Sequence, residues 1–200
     1  MHSSARDVIG LYQRHAAAWT RNRGDRLTEG AWLDQFLGLL PVGRRVLDLG
    51  CGSGSPMARH LIAHGCAVTG VDGSAALIAV CEAAFPEHTW HVGDMRLTDL
   101  AERFDGVLAW DSLFHLDHDD QRRMFDVFRR HCAPRAALMF TSGPAHGEAI
   151  GAFEGEPLYH ASLAPAEYRS LLAQHGFEVV RFTPEDPDCG GRSVWLARLL

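Results

Sequence analysis

The sequence predicts an α/β fold: a doubly wound, mostly parallel sheet with helices on both faces. Three observations carry that expectation. Short apolar runs alternate with capped or amphipathic stretches from residue 45 onward, the links between them are brief, and the first run breaks off into three alternating glycines. The 200 residues suit one domain, and 46% hydrophobic with 22% charged residues is an ordinary globular balance. A chain of this length buries a core without disulfides or a structural metal.

Taken in order, Val8, Leu11, Tyr12, Ala16 and Trp19 follow one another mostly at three- and four-residue steps, which predicts an amphipathic helix. Residues 21–28 are polar and glycine-broken. A second stripe holds Trp32, Leu33, Phe36, Leu37 and Leu40, and Pro41 and Gly43 end it. Val46-Leu47-Asp48-Leu49 then reads as a buried parallel strand. Met57 to Ala63 is a predicted helix with Gly65 as its stop.

Ala67 to Val71 is the second strand, closed by Asp72; Ser74 caps the helix that runs to about Ala84. Trp90 to Val92 is a brief third strand, and Phe104 to Trp110 a fourth. Asp117 caps a helix ending near Cys132, and Ala136 to Thr141 is a fifth strand. A looser, glycine-rich stretch follows over 143–162. The chain closes with a helix from Pro165 to His175, a strand from Phe177 and a last apolar run, Ser193 to Leu199. We read one domain over 1–200, with 1–43 as a helical preface or lid and 44–200 as an α/β core carrying an insertion at 143–162.

The sharpest feature is Val46-Leu47-Asp48-Leu49-Gly50-Cys51-Gly52-Ser53-Gly54. A strand that runs into alternating glycines and then a helix lets backbone approach a ligand, and it points free N–H groups at the ligand's negative end. Asp72, ending the next strand, is placed to accept from ribose hydroxyls. A dinucleotide fingerprint needs its third glycine three places after the second; here position 55 is serine and the third glycine is Gly54. The loop is read as a nucleoside-carrier site.

VLDLGCGSG followed by VTGVD resembles the first two signature segments of class I S-adenosylmethionine-dependent methyltransferases, over roughly residues 45–142 with the two closing strands. The resemblance implies a Rossmann-like seven-stranded sheet of order 3-2-1-4-5-7-6, strand 7 antiparallel. It implies S-adenosylmethionine as cofactor and S-adenosylhomocysteine as product. It places Gly50, Cys51 and Gly52 along the methionine part, with Asp48 holding the loop or the amino group. Asp72 would grip the ribose, bordered by Gly73 and Ser74. Asp94 would meet the adenine amino group and Met95 flank the ring; a loop cap and core filling are their plain alternatives. Ala109, Trp110 and Asp111 would sit by the methionine and the transferred methyl. In the preface, Trp19 would cover the cofactor and Arg23 pair with its carboxylate, against helix packing and a solvated arginine.

The acceptor is less marked. His115, just beyond strand 4, is the candidate base or acceptor clamp, because histidine titrates near neutral pH; a hydrogen bond to a loop is the competing role. Tyr12 in the preface, with Tyr159 and His160 in the 143–162 stretch, are candidate acceptor contacts. Net charge is −6, and the place after strand 4 reads Asp111-Ser112-Leu113-Phe114 without the prolines of base-methylating enzymes. Both features disfavour a nucleic-acid substrate. Five cysteines with no C-x-x-C pair suggest neither a disulfide framework nor a metal site. With no apolar run of spanning length, the expectation is a cytoplasmic enzyme, away from membranes, acting on a small molecule. A non-catalytic cofactor-binding protein and a nicotinamide oxidoreductase are the rival functions.

Overall fold

Val46 and Leu47 are neighbours in sequence, yet they enter different hydrophobic clusters on opposite sides of one sheet. Side chains alternate along a strand, so a strand covered on both faces must be apolar throughout. The computed structural model describes residues 3–41 and 43–200; Met1, His2 and Val42, which fall within the predicted preface, lie outside the described residues.

The strands are β1 (Arg45–Leu49), β2 (Ala67–Asp72), β3 (Thr89–Val92), β4 (Phe104–Ala109), β5 (Cys132–Ser142), β6 (Gly147–Phe153), β7 (Glu156–Ser162), β8 (Phe177–Asp186) and β9 (Arg192–Leu199). Seven of them form one sheet of order β3-β2-β1-β4-β5-β9-β8. The first five pair in parallel, and β9 runs against both β5 and β8. With β6 and β7 set aside, this is the order and the single reversed strand that the resemblance implies.

The helices are α1 (Ser3–Arg14), α2 (Ala16–Arg23), α3 (Gly30–Leu39), α4 (Met57–Ala63), α5 (Ala75–Ala84), α6 (His118–His131) and α7 (Pro165–Gln174). Phe36, Leu61 and Ile78 bring α3, α4 and α5 onto one face of the sheet. Phe125, Phe128 and Tyr168 bring α6 and α7 onto the other. Two helix starts follow their sequence signals: the Ser74 hydroxyl accepts from Leu77 N–H at 3.3 Å, and Asp117 Oδ1 accepts from Asp120 N–H at 2.8 Å. Trp195 on β9 is fully buried, stacked 3.8 Å from Phe182, and its indole N–H is satisfied by Ser142 Oγ at 3.0 Å. A fully buried large apolar side chain contributes about 1.5–3 kcal/mol, whereas an exposed ion pair contributes about 0–1. The two clusters, rather than surface charges, therefore hold the sheet together.

One expectation fails here. The looser stretch at 143–162 is a regular antiparallel hairpin, β6 against β7, in register from Gly147↔Ser162 to Phe153↔Glu156. Its two turn residues, Glu154 and Gly155, have φ of +50° and +82°, as the type I′ turn of a two-residue hairpin loop requires. Glutamate at the first of these positions hides the turn signal that asparagine or aspartate would give. The hairpin leans on the preface: Phe153 meets the rings of Tyr12, His15 and Trp19, and Glu156 pairs with Arg14 and His15.

Candidate cofactor and acceptor site

The C-terminal ends of β1, β2 and β4 open into a cavity roofed by α1 and α2, with about 1080 Å³ of space including its mouth. This is where a doubly wound sheet receives a ligand. Its floor is the glycine turn. Gly50 has φ of +79°, and a Cβ there would stand 2.3 Å from Ser112 Cβ, so only glycine passes. The N–H groups of Gly50 and Cys51 both donate to Val71 O, at 2.8 and 3.2 Å, which folds the turn across the end of β2. On the other flank the Ser112 hydroxyl donates to Leu49 O at 2.7 Å.

Asp72 holds the next turn. Its two oxygens accept from Gly52 N–H at 2.9 Å and Ser74 N–H at 2.8 Å. Burial raises its carboxyl pKa, and these two donors partly offset that. Asp48 lies deeper, 2% exposed, and lines the same cavity. Burial, and then the charge of Asp72, push its carboxyl up to about 7. Its Oδ2 is buried with no hydrogen-bond partner among the described residues, and the same holds for the indole Nε1 of Trp110. Buried polar groups are nearly always paired, so two orphans lining one cavity mark a place for a ligand's polar groups. A carboxylate oxygen and an N–H donor suit the ammonium and carboxylate of an amino-acid end, while Asp72 keeps lone pairs for ribose hydroxyls. The residues present fit S-adenosylmethionine.

Other expected residues line the cavity but already have partners. Asp111 (φ +51°) is clamped by Arg192, Nε to Oδ1 at 2.8 Å and Nη2 to Oδ2 at 2.6 Å. That leaves Asp48, rather than Asp111, as the unmatched acid. Burial alone would raise the Asp94 carboxyl, but hydrogen bonds from Arg96 outweigh it and hold it low. Met95 is both cavity wall and core. Arg23 donates to the fully buried Glu29 at 2.6 Å, so its charge is matched inside the protein. Trp19 lies over the glycine turn, its Nε1 3.1 Å from where a Gly52 Cβ would stand. Cys51, Gly73 and Tyr12 also line the cavity. A hydrogen bond with Cys81, and then burial, raise the Cys51 thiol well above its usual range, so it is a neutral wall and not a nucleophile.

His115 is part of the wall and is buried, with both ring nitrogens engaged. Nδ1 lies 2.9 Å from Tyr159 O and Nε2 lies 3.0 Å from the Tyr12 hydroxyl. A carbonyl only accepts, so Nδ1 carries the proton and Nε2 accepts from Tyr12. Burial lowers its pKa to about 4, and the ring is neutral near pH 7.

Four expected residues stand outside the cavity wall. Ser74 is a buried helix cap, and Ala109 is core. Tyr159 is buried with its hydroxyl on Glu148 at 2.8 Å; what it gives the site is its carbonyl. His160 packs behind His115, ring centroids 4.9 Å apart. The hairpin, in short, shapes the site through backbone and second-layer rings. Arg192, Glu29 and the wall residues Ile9 and Leu77 were not legible beforehand, because only the fold brings them here.

Comparison with known proteins agrees with this geometry. The family described as a methyltransferase domain matches residues 19–181. An O-methyltransferase of Aspergillus nomiae is 28% identical over 155 residues, covering 70% of this chain and 67% of that protein. A dTDP-4-amino-2,3,4,6-tetradeoxy-D-glucose N,N-dimethyltransferase of Saccharopolyspora spinosa is 34% identical over 97 residues, covering 48% of this chain and only 39% of its own length. In fold, the chain resembles an S-adenosylmethionine-bound amino pentose methyltransferase from Micromonospora echinaspora (TM-score 0.72, 20% identity, 94% and 97% of the two chains). It also resembles an S-adenosylmethionine-bound magnesium protoporphyrin IX methyltransferase from Synechocystis (TM-score 0.78, 19% identity, 100% and 99%).

Proposed function

The chain belongs to the methyltransferase-domain family, with the class I S-adenosylmethionine-dependent fold, and on that premise we propose that it methylates a small molecule. The observation that carries the proposal is the buried, unpaired Asp48 Oδ2 beside the glycine turn and Asp72. Asp48 would hold the cofactor's ammonium, Trp110 Nε1 its carboxylate, and Asp72 the ribose. Asp94 and Met95 would border the adenine. When bound, the cofactor supplies a methyl group made electrophilic by its positive sulfur.

What the chain adds is orientation and shelter. Fixing an acceptor in line with the sulfur converts a two-body encounter into an internal step, worth about 7–11 kcal/mol. Tyr12 and Trp19 roof the cavity from the preface, and the hairpin braces both through Phe153. With cofactor and acceptor in place, that roof would shield the reacting atoms from water. Tyr12 O–H donates a hydrogen bond to His115 Nε2, which leaves the lone pairs of Oη to accept from an acceptor's O–H or N–H.

A small-molecule acceptor is supported by the relative whose printed name gives a nucleotide sugar as its substrate. Among the described residues no helix is long and apolar enough to cross a membrane. The free, buried cysteines suit a reducing compartment, and we place the reaction in the cytoplasm. Nucleic acid is not the substrate in this reading, given the net charge of −6. The test is calorimetry with S-adenosylmethionine, followed by a mass-spectrometric screen of metabolite extract for compounds that gain one methyl. Absence of binding sinks the proposal; binding without any methylated product favours a non-catalytic binder.

A further inference from the structure

We propose a divalent transition-metal site on α3 and α4, formed by Asp34, His60 and His64, that takes Zn²⁺ or a similar borderline cation. It lies apart from the cofactor cavity and does not depend on how that cavity is used.

His60 lies in the last turn of α4 and His64, four residues on, caps its C-terminus, so both imidazoles leave the same side. Their ring centroids are 4.1 Å apart. Asp34 comes from α3, and its Oδ1 lies 3.3 Å from His60 Nε2. One ligating atom from each of the three residues lies within 4.8 Å of the other two. The cysteine pattern gives no hint of this, because the third ligand arrives from a different helix.

The second layer is also in place. His64 Nδ1 lies 2.8 Å from His60 O. That carbonyl can only accept, so Nδ1 carries the proton and Nε2 holds the free lone pair. A ring N–H on a backbone carbonyl is the arrangement that orients metal-binding histidines.

The distances suit a small ion. Bonds of about 2.0–2.1 Å in a tetrahedron set ligand atoms roughly 3.4 Å apart. The His60–Asp34 pair is already at that separation. The wider separations close by side-chain rotation, for which the exposed Asp34 and His64 have room. A simple His60–Asp34 ion pair needs no His64 and, with Asp34 exposed to solvent, is worth about 0–1 kcal/mol. Two imidazoles and one carboxylate favour Zn²⁺, Ni²⁺ or Cu²⁺ over Mg²⁺ and Ca²⁺, which prefer all-oxygen shells. Solvent would fill the fourth position. The ion would tie α3, in the preface, to α4, which follows the glycine turn, and so stabilise the folded chain by mass action.

The test uses the full chain, stripped with chelator, with ZnCl₂ or MgCl₂ added alone and read by calorimetry and thermal unfolding. We expect one Zn²⁺ to bind per chain and raise the melting temperature, and Mg²⁺ to do neither. His64→Ala leaves the His60–Asp34 contact intact and should weaken Zn²⁺ binding by about tenfold or more. His60→Ala should abolish the site, and Asp34→Asn should weaken it. Unchanged melting temperatures of the metal-free variants show that they still fold. Equal Zn²⁺ affinity in wild type and His64→Ala, an equal shift with Mg²⁺, or no Zn²⁺ binding by the wild type each overturns the proposal.

Discussion

The carboxylate of Asp72 is the clasp of the glycine turn: Gly52 N–H donates to its Oδ2 at 2.9 Å, so the acid ending β2 fixes the loop that follows β1. Its other oxygen starts α5 through Ser74 N–H. One residue thus fixes the glycine turn and the start of α5, which flank this end of the cavity. Asp72→Ala removes two charge-assisted hydrogen bonds, each worth about 1.5–3 kcal/mol. We expect it to fold less stably and to bind S-adenosylmethionine roughly tenfold more weakly or worse by calorimetry. If affinity holds while stability falls, Asp72 is a loop clasp only.

Gly50 tests the floor of the site. Alanine there meets both a φ of +79° and Ser112 Cβ at 2.3 Å. Left-handed strain and overpacking together should reduce unfolding free energy by roughly 2–4 kcal/mol in a denaturant titration. Gly155, in the hairpin turn, also has positive φ but no atom within 4 Å of an added Cβ. Gly155→Ala should cost only about 1–2 kcal/mol. Equal losses at the two positions would mean that Ser112 moves aside freely.

How much of this was readable beforehand depends on range. Val46 to Gly54, Ser74 and Asp117 carry local signals, a buried strand, a glycine turn and helix caps, and the structure has them where those signals lie. The parallel strand order needed the family resemblance, since no local pattern states which strands touch. Pairings between distant residues left no trace at all: Arg192 reaches Asp111 across 81 positions, and Tyr12 reaches His115 across 103. Those contacts decide which acids are free. They leave Asp48, read from the sequence as holding either the loop or the cofactor's amino group, as the acid of the cavity with an unpaired oxygen.

Asp48 should give the protein a distinctive pH dependence. In the unfolded chain it ionises near pH 4, in the folded chain near 7. Between those values the folded state holds the extra proton, so stability falls as pH rises from about 4 to 7 and levels off beyond. The size is on the order of a few kcal/mol. Asp48→Asn should flatten that slope and, at pH 8, melt above the wild type. It should nonetheless bind S-adenosylmethionine more weakly, since a neutral amide does not hold an ammonium. Wild-type affinity should rise with pH up to about 7, as the carboxylate becomes available. Parallel pH–stability curves for the two proteins would show that Asp48 is already ionised in the fold.

His115 predicts the opposite slope. Its folded pKa is held at about 4 by burial, while an unfolded histidine titrates near 6.5. As pH falls through that window the unfolded chain takes the proton first, so stability present above pH 6.5 is lost progressively toward 4. Nitrogen-15 NMR at pH 7 should find Nδ1 protonated and Nε2 bare, with no titration of this ring between pH 8 and 5.5. A midpoint near 6.5 would falsify the assignment. Tyr12→Phe removes the donor that stabilises the neutral ring, so the midpoint should move upward. If Tyr12 faces the acceptor as proposed, the same variant should lower turnover while S-adenosylhomocysteine binding, read by calorimetry, stays within about twofold. A matching loss of both would place Tyr12 with the cofactor rather than the acceptor.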